Sequence, residues 1–351
     1  MNSKLIHNIN VFEEAITSDS WALLKDGGAE LGRGDSWKGL AEDTEVVDGH
    51  GKTLVAGLID THCHGAAGFT ANDGLSGMVK TLDFNFANGV AKTILSLVTS
   101  THAELLELCS AATQLRSDSR FGGLHLEGPY LAPSHKGAHD ESKLAMPSIE
   151  GLAELVATGV VRSMTIAPEL FTQEQLDLLE HGGVKLSLGH TNIDYQGAKA
   201  FFAKHPSAVM THAFNAMNPI HHRAPGPVPA AIEAGVFIEL IVDRVHVHES
   251  VVKLVPPEQV ILVTDAMSAT GMPDGEYQLG SLKIHVENSV ARTESGNLAG
   301  STLLLRQAVE NYSQIIQNKE LALKAATLNP ASAYGIELPK LSLENHVLLD
   351  L

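Results

Sequence analysis

The sequence predicts an α/β protein: a (β/α)8 barrel of the TIM type with a small β-sandwich-like domain built from both chain termini. From residue 53 onward, apolar runs of strand length recur eight times. Stretches with apolar residues at helical spacing separate these runs, so the strands are expected to be parallel and covered on both faces. Asp-Thr-His-Cys-His follows the first run, where a doubly wound sheet would carry a glycine-rich phosphate loop, and this favours the barrel.

The alternation of apolar runs and helical stretches sets the bounds of the predicted elements. The predicted strands are Leu54–Asp60, Lys92–Thr99, Gly122–Glu127, Ser163–Glu169, Lys185–His190, Ala208–Phe214, Phe237–Asp243 and Val260–Asp265. The predicted helices are Leu75–Ala87, Ala103–Gln114, Ile149–Ala157, Gln173–Glu180, Asp194–Ala203, Ser301–Ile316 and Glu320–Thr327. These elements place the barrel at residues 53–335.

The two chain ends do not follow this pattern. Residues 1–52 contain short apolar runs punctuated by glycines, which predict small strands. Residues 336–351 contain further short apolar runs, which are expected to pair with the N-terminal strands. Together the two ends predict the small β domain, and the alternating segment 274–298 predicts a β-hairpin inserted before the next helix.

Composition narrows the class of function. A net charge of −17 argues against a broad nucleic-acid or membrane-binding surface but leaves room for a small anionic substrate. No apolar run approaches a membrane span, residues 1–10 lack a signal-peptide pattern, and two cysteines are too few for a disulfide framework, so a cytoplasmic protein is expected. The 18 histidines exceed what packing requires, so some are expected to bind metal or substrate.

Polar side chains follow several predicted strands, and the carboxyl ends of barrel strands form the active face of this fold. His62 and His64 come after the first strand and lie on one side of the chain, because side chains alternate along a strand. Glu127 ends the third strand, His190 ends the fifth, and His212 lies near the end of the sixth. Imidazole and carboxylate ligands in this mixture suit zinc, iron(II), manganese or cobalt.

Asp265 ends the eighth strand, on the opposite side of this rim. A protein-bound metal with an open position lowers the pKa of its bound water to about 7 and supplies hydroxide at neutral pH. Asp265 is placed to take a proton from that water and to deliver it to a leaving nitrogen. Asp265 alone could equally cap a helix, so the prediction of metal-assisted amide hydrolysis depends on all these residues occurring together at strand ends.

Longer motifs around these residues resemble the amidohydrolase superfamily and, within it, the N-acetylglucosamine-6-phosphate deacetylase family. The motifs are DTHCHG at 60–65, HLEGPYL at 125–131, KGAH at 136–139, LGHT at 188–191, THAFNAM at 211–217, LVTDA at 262–266, GNLAGS at 296–301 and NPA at 329–331. The chain departs from the family at Ala56, where a proline commonly stands, and in its short C-terminal tail.

The resemblance implies hydrolysis of N-acetyl-D-glucosamine 6-phosphate to D-glucosamine 6-phosphate and acetate, with Asp265 as general acid/base. Glu127, His190 and His212 match the family's principal metal ligands. His62 and His64 match a pair that supports a second metal in some members. One or two divalent ions per chain are therefore implied, with zinc as the first expectation.

The resemblance also implies a set of substrate contacts. His139, with Ala138 beside it, matches a residue that contacts the sugar and the carbonyl region. Asn215 and Ala216 match phosphate contacts, and His246 matches a phosphate-binding histidine.

Arg223 matches a phosphate-binding arginine that the neighbouring subunit of a homodimer contributes. The resemblance therefore implies a homodimer with shared phosphate sites. The net charge predicts neither a nucleic-acid nor a membrane partner. His135, His221, His222 and His248 match no role, so loop or surface positions are expected for them.

Other functions remain open at this point. The barrel ligands do not exclude the epimer N-acetylgalactosamine 6-phosphate or the substrate of another amidohydrolase. A dihydroorotase-like enzyme often carries a carboxylated lysine at the end of strand four. This chain has Ala167-Pro168-Glu169 there, without a lysine, which argues against that class. A non-catalytic sugar-phosphate sensor on the same scaffold would not need Asp265.

Overall fold

Eight parallel strands form one sheet in chain order, in a computed structural model that describes residues 3–40 and 44–351. The strands are Leu58–Cys63, Val90–Val98, Phe121–Glu127, Val161–Ile166, Lys185–Leu188, Val209–Met210, Ile238–Ile241 and Val260–Val263. Backbone hydrogen bonds join the ends of the first and eighth strands: the Asp265 amide donates to the His62 carbonyl and the His64 amide to the Ala266 carbonyl, both at 2.8 Å. The sheet thus closes into the predicted barrel.

Helices alternate with the barrel strands, as predicted. They are Leu75–Ala87, His102–Ala112, Ile149–Ala157, Gln173–His181, Tyr195–Lys204, Pro227–Ala234, Glu249–Val252, Leu305–Ile316, Lys319–Lys324 and Leu328–Tyr334. Side-chain caps define several starts; for example, the Thr101 hydroxyl accepts from the Glu104 amide. Within the described ranges, no helix combines the length and the apolarity needed to cross a membrane.

One apolar core fills the barrel and the layer between strands and helices. Ile94, Leu97, Leu126, Met164 and Leu188 lie on barrel strands and are completely buried. Burying one such side chain contributes about 1.5–3 kcal/mol. The core therefore makes a rigid frame, and the functional side chains at the strand ends are attached to it.

A second sheet of six strands combines both chain ends. Its strands are Ser3–Phe12, Ile16–Lys25, Gly28–Arg33, Glu45–Asp48, Thr53–Val55 and Val347–Leu349. The C-terminal strand pairs antiparallel with Thr53–Val55, so the predicted return of the tail to this sheet is confirmed. The domain boundaries at residues 52 and 335 stay a prediction, and residues 1–2 and 41–43 of the predicted small domain lie outside the described residues.

Several predicted strands are longer than the observed ones; the sixth, for example, ends at Met210 and not at Phe214. Two of the differences have a clear cause in the backbone. The first barrel strand begins at Leu58 and not at Leu54, because Gly57 breaks the apolar run with a φ of 108°. The residues before this break, Thr53–Val55, pair in the six-stranded sheet. The fourth strand ends before the turn Pro168–Leu170, because proline has no N–H for the strand ladder.

The segment after the eighth strand contains three antiparallel strands, where the sequence predicts a two-stranded hairpin. The strands are Gly275–Leu279, Leu282–Glu287 and Val290–Thr293. The following helix starts at Leu305 and not at Ser301. Ser301 is held in a bridge instead: its amide donates to the Asp265 carbonyl at 2.7 Å and its carbonyl accepts from the Met267 amide at 3.0 Å.

Candidate active site and metal centre

A cavity of about 410 Å³ is lined by side chains from the carboxyl ends of the barrel strands. The predicted site residues that line it are His64, Glu127, Ala138, His139, His190, His212, Asn215, Ala216, His246 and Asp265. His62 is completely buried beside them. Its Nε2 lies 3.2 Å from Nε2 of His64, so the two histidines share one side of the strand end, as predicted.

Glu127, His190 and His212 form a compact group. Oε1 of Glu127 lies 3.1 Å from Nε2 of His190 and 2.8 Å from Nε2 of His212, and the two nitrogens are 3.0 Å apart. Zinc–nitrogen bonds of about 2.0–2.1 Å place the ligand atoms of a tetrahedral shell about 3.3 Å from one another. The three atoms therefore have nearly the spacing of ligands around a single ion.

His62 and His64 form a second group with the same glutamate. Nε2 of His64 lies 3.1 Å from Oε2 of Glu127 and 3.2 Å from Oδ1 of Asp265. Nε2 of His62 lies 3.5 Å from Oδ1 of Asp265. Glu127 thus turns Oε1 toward His190 and His212 and Oε2 toward His64, while His62 lies 3.6 Å from Oε1. Glu127 contacts both groups, as a bridging carboxylate does.

Hydrogen bonds on the far side of three imidazoles fix which nitrogen faces these groups. Each Nδ1 faces an oxygen that only accepts: His62 faces the Glu239 carboxylate at 3.3 Å, His64 the Ser96 carbonyl at 3.2 Å and His190 the His135 carbonyl at 2.9 Å. Nδ1 therefore carries the hydrogen, and Nε2 presents a lone pair. Nitrogens and carboxylate oxygens this close together need positive charge between them. Protons can supply it, since burial opposes a charged ring but Glu127 and Asp265 still raise the pKa of His62 and of His64. A divalent ion would replace those protons, and this donor set fits one.

His125 shows by contrast what a scaffolding histidine looks like in this barrel. Its Nδ1 lies 2.9 Å from the Ser96 hydroxyl and its Nε2 lies 2.7 Å from the Thr165 hydroxyl. Burial lowers the pKa of His125 well below its usual range, and the ring packs edge-on to His62 with centroids 4.5 Å apart. Both nitrogens are engaged by hydroxyls, so His125 supports the ligands and does not bind metal itself.

His139 carries its hydrogen on Nε2, whereas the imidazoles of His62, His64 and His190 carry theirs on Nδ1. The Thr99 amide donates to its Nδ1 at 3.3 Å, so Nε2 carries the hydrogen. That nitrogen lies 3.3 Å from Oε2 of Glu127. Burial lowers the pKa of His139 to about 4. His139 is therefore neutral at pH 7 and can donate one hydrogen bond into the cavity without adding charge.

The two carboxylates of the site are ionised. Burial opposes ionisation, but His62 and His64 hold the pKa of Asp265 below its usual range. Burial likewise opposes ionisation of Glu127, and His62 and His139 hold the pKa of Glu127 well below its usual range. An ionised Asp265 at the edge of the cluster is able to accept a proton.

Three site residues leave their strands with a left-handed backbone. The φ angle is 47° at His190, 23° at His212 and 48° at Asp265. Side chains other than glycine rarely adopt this region, and it costs about 1–3 kcal/mol per residue. The bend occurs where each strand ends, and all three side chains line the cavity.

Gly128, which follows Glu127, allows the backbone to pass very close to the side chain of Thr99. Its φ is 93°, and a Cβ at this position would lie 2.1 Å from Oγ1 of Thr99. That hydroxyl donates to the Glu127 carbonyl at 3.3 Å and lies 2.8 Å from Nδ1 of His139. Glycine at this position therefore lets one threonine hold both the backbone of Glu127 and the ring of His139.

The remaining predicted contact residues lie along the cavity wall. His246 is oriented by Asp243, whose Oδ2 lies 2.7 Å from its Nδ1 and whose Oδ1 accepts the His246 amide at 2.8 Å. Nδ1 therefore donates to the carboxylate, and Nε2 is the atom available to the cavity. Asn215 donates to the His212 carbonyl at 3.0 Å, which ties it to the backbone of one of the candidate ligands.

Arg223 lies apart from the cavity. It lines a separate surface pocket with His221, is exposed, and places Nη1 2.7 Å from Nε2 of His222. Its participation in the site of a neighbouring subunit stays a prediction. His135 lies in the short turn Pro133–His135, which is a loop position of the kind expected, and it also lines the cavity, where its carbonyl accepts from Nδ1 of His190 at 2.9 Å.

Sequence reasoning missed the residues that support the ligands. Glu239 lies behind His62. Its presence as a lone carboxylate inside the apolar run of strand seven was the signal in the sequence that could have revealed it. Asp60 accepts from the Thr264 hydroxyl at 2.6 Å, and burial raises the pKa of Asp60 to about 6. Asp60 thereby links strands one and eight directly below the site.

The chain is similar to known proteins over most of its length. No family model matches the chain. The chain is 33% identical over 304 residues to the N-acetylglucosamine-6-phosphate deacetylase of Vibrio furnissii, covering 83% of this chain and 76% of the relative. It is 32% identical over 307 residues to the N-acetylgalactosamine-6-phosphate deacetylase of Escherichia coli O157:H7, covering 83% and 81%.

A solved structure agrees over almost the entire length. It is an Asp-to-Ala mutant of the N-acetyl-D-glucosamine-6-phosphate deacetylase of Mycobacterium smegmatis in complex with N-acetyl-D-glucosamine-6-phosphate. The two chains superpose with a TM-score of 0.87 and are 31% identical, over 100% of this chain and 96% of the other. The similarity of fold therefore extends over both the barrel and the six-stranded sheet.

Proposed function

We propose that this chain, which belongs to the N-acetylglucosamine-6-phosphate deacetylase family of the amidohydrolase superfamily, hydrolyses N-acetyl-D-glucosamine 6-phosphate to D-glucosamine 6-phosphate and acetate. The observation that carries the proposal is the cavity itself. It places an ionised Asp265 beside two histidine groups that share Glu127. Acetate release by the purified protein is the test.

The metal is proposed to be held mainly by Glu127, His190 and His212, and His62 and His64 decide whether a second ion is held. A bound divalent ion would supply the Lewis acidity that activates water and polarises the acetyl carbonyl. Zinc is the first expectation for the one or two ions per chain, and iron(II), manganese and cobalt have overlapping ligand preferences.

Asp265 and His139 are proposed to handle the protons and the developing charge. The carboxylate of Asp265 takes a proton from the attacking water and returns it to the amine nitrogen as the C–N bond breaks. Nε2–H of His139 donates to the acetyl oxygen, where negative charge develops during attack. Water thus supplies the oxygen of acetate and the proton of the amine, and Asp265 ends the cycle ionised.

Asn215, Ala216 and His246 are proposed to hold the phosphorylated sugar from the cavity wall, with Ala138 beside the acetyl group. Arg223 is proposed to reach the phosphate from the neighbouring subunit of a homodimer, because a guanidinium binds phosphate through two parallel hydrogen bonds. The net charge of −17 makes such local donors necessary for an anionic substrate. Two free buried cysteines and a phosphorylated substrate suit the cytoplasm.

Replacing Arg223 by alanine is expected to raise KM for the phosphorylated sugar by about 10–100-fold, the range for losing a charged hydrogen bond, with little change in kcat. Steady-state kinetics on phosphorylated and unphosphorylated N-acetylglucosamine would measure this. Arg116→Ala is the matched control, since Arg116 is an exposed arginine bound to the Thr158 carbonyl. An unchanged ratio of activities on the two sugars would remove Arg223 from the phosphate site.

Replacing Asp243 by asparagine is expected to raise KM by about 10-fold and to leave kcat nearly unchanged, because His246 loses the charged acceptor that orients it. The kinetic split and the melting temperature should be measured together. A variant whose kcat and melting temperature fall while KM is unchanged would show that Asp243 only supports the fold.

N-acetylgalactosamine 6-phosphate is the second candidate substrate. The relative named for that epimer is 32% identical to this chain, against 33% for the N-acetylglucosamine 6-phosphate enzyme of Vibrio furnissii. Parallel measurements of acetate release from the two epimers would decide between them, and kcat/KM is expected to be higher for the glucosamine epimer.

A further inference from the structure

A buried glutamate of the seventh barrel strand lies directly behind His62. Glu239 is only 2% exposed, and its Oε2 lies 3.3 Å from Nδ1 of His62. Its Oε1 accepts from the Thr61 hydroxyl and from the Tyr334 hydroxyl, each at 3.0 Å. In the described part of the chain, His62 is the one basic side chain within 4 Å of this carboxylate.

Packing does not account for an acidic residue at this position. The adjacent residues Ile238, Leu240 and Ile241 are completely buried, as the barrel wall requires. Burying a carboxylate there costs free energy unless its hydrogen-bond partners compensate. Both oxygens of Glu239 have hydrogen-bond partners. One of these partners is the ring of His62, whose other nitrogen faces the site.

We propose that Glu239 is a positioning residue that makes His62 a ligand and thereby lets His62 and His64 hold a second divalent ion beside the first. This inference rests on the proposed metal-dependent function. Glu239 keeps the hydrogen of His62 on Nδ1, so Nε2 presents its lone pair 3.2 Å from Nε2 of His64. An anionic acceptor behind an imidazole also makes that imidazole a stronger ligand.

The first ion does not depend on Glu239. Nδ1 of His190 is held by the neutral carbonyl of His135 at 2.9 Å. Nδ1 of His212 is buried and has no hydrogen-bond partner within residues 3–40 and 44–351. Among the imidazoles of the two groups, only that of His62 has a carboxylate behind it, so removing the charge of Glu239 should weaken one ion selectively.

A second ion also needs negative charge nearby. Glu127 and Asp265 are the carboxylates that face the Nε2 atoms of the histidine groups. Glu239 adds a further negative charge one imidazole away, on the side of His62 and His64. Its negative charge would therefore offset part of the repulsion between two divalent ions that share Glu127.

Counting zinc in wild-type and Glu239→Gln protein tests the proposal. Each protein would be stripped with a chelator and titrated with zinc alone, with a competing chromogenic chelator reporting each equivalent. We expect two equivalents in the wild type, and in the variant an about 10–100-fold weaker second equivalent with the first unchanged.

Two variants serve as controls. Glu180→Gln changes another glutamate that accepts from a buried histidine, since Oε2 of Glu180 lies 2.7 Å from Nδ1 of His205. Tyr334→Phe removes a hydrogen bond from Glu239 but leaves the carboxylate and its contact with His62. Both are expected to bind two equivalents as tightly as the wild type does.

The proposal is overturned if Glu239→Gln binds both equivalents as tightly as the wild type, or if the wild type binds only one. Circular dichroism would check folding, and if Glu239→Gln does not fold, Glu239→Asp, which draws the carboxylate back by one methylene, should show the same selective loss. Tight second-equivalent binding in that variant would likewise overturn the proposal. Because the readout is zinc stoichiometry, a wild type that binds two ions but releases no acetate would reject the proposed function and not this role of Glu239.

Discussion

Replacing Asp265 by asparagine lowers kcat for deacetylation by about 10²–10⁴-fold, the range for losing a general acid/base. Asparagine has nearly the same size but cannot take up a proton near neutral pH. Zinc binding should largely survive, because Glu127, His190 and His212 form a group that does not include Asp265. Acetate release gives kcat, and elemental analysis of the same samples gives the zinc content.

A matched control for this variant is Asp177→Asn, which changes an aspartate bound to the Gln173 side chain on an exposed helix face. It should keep both wild-type turnover and wild-type zinc content. Near-normal turnover in Asp265→Asn would remove Asp265 from the acid/base role. Loss of turnover together with all zinc would instead make it a metal ligand.

Replacing Glu127 by glutamine is expected to abolish metal binding and to lower kcat/KM by about 10³-fold or more, because both the activation of water and the polarisation of the carbonyl would depend on the ion. Oε1 of Glu127 faces His190 and His212, and Oε2 faces His64. An amide has one oxygen and no charge, so it cannot serve both groups. Zinc content per chain should therefore fall to near zero.

Thermal unfolding with and without zinc provides a second measurement on the same variant. A ligand at about 100 times its Kd stabilises the folded state by about 2.7 kcal/mol. The wild type and an exposed control, Glu154→Gln, should gain this stabilisation from zinc, and Glu127→Gln should not. Wild-type zinc content or wild-type stabilisation in Glu127→Gln would contradict the bridging role.

Most of the barrel was predictable because its strands are buried on both faces and so appear as continuous apolar runs. The helices Leu75–Ala87 and Ile149–Ala157 were predicted to the residue, and at the second the Ser148 hydroxyl marks the start by accepting from the Gly151 amide. The strand-end histidines and carboxylates were also predictable, because the parallel topology gathers all carboxyl ends at one rim.

The spacing of the histidines did not predict which of them would be metal ligands and which would support the ligands. His62 and His125 both belong to strand ends, but contacts distant in the chain decide their roles. Nδ1 of His62 meets Glu239, which is 177 residues away, and both nitrogens of His125 meet hydroxyls of neighbouring strands. A sequence pattern places a ring at the rim, but only the folded contacts determine which nitrogen carries the hydrogen.

The backbone geometry at the strand ends could not be predicted from the sequence either. The left-handed angles at His190, His212 and Asp265 run against the preference of their residue types. They persist because the strands on either side fix the chain, and tertiary structure here overrides local propensity. The same reason explains Ser301, whose bridge to Asp265 and Met267 replaces the predicted first turn of a helix.

The most direct test of the proposed deacetylase is acetate release from N-acetyl-D-glucosamine 6-phosphate by the purified, zinc-loaded protein. We expect one acetate for each D-glucosamine 6-phosphate formed, loss of turnover after treatment with a chelator, and recovery when zinc is restored. Zinc-loaded protein that binds the sugar phosphate but releases no acetate would contradict the enzyme and favour a sugar-phosphate sensor.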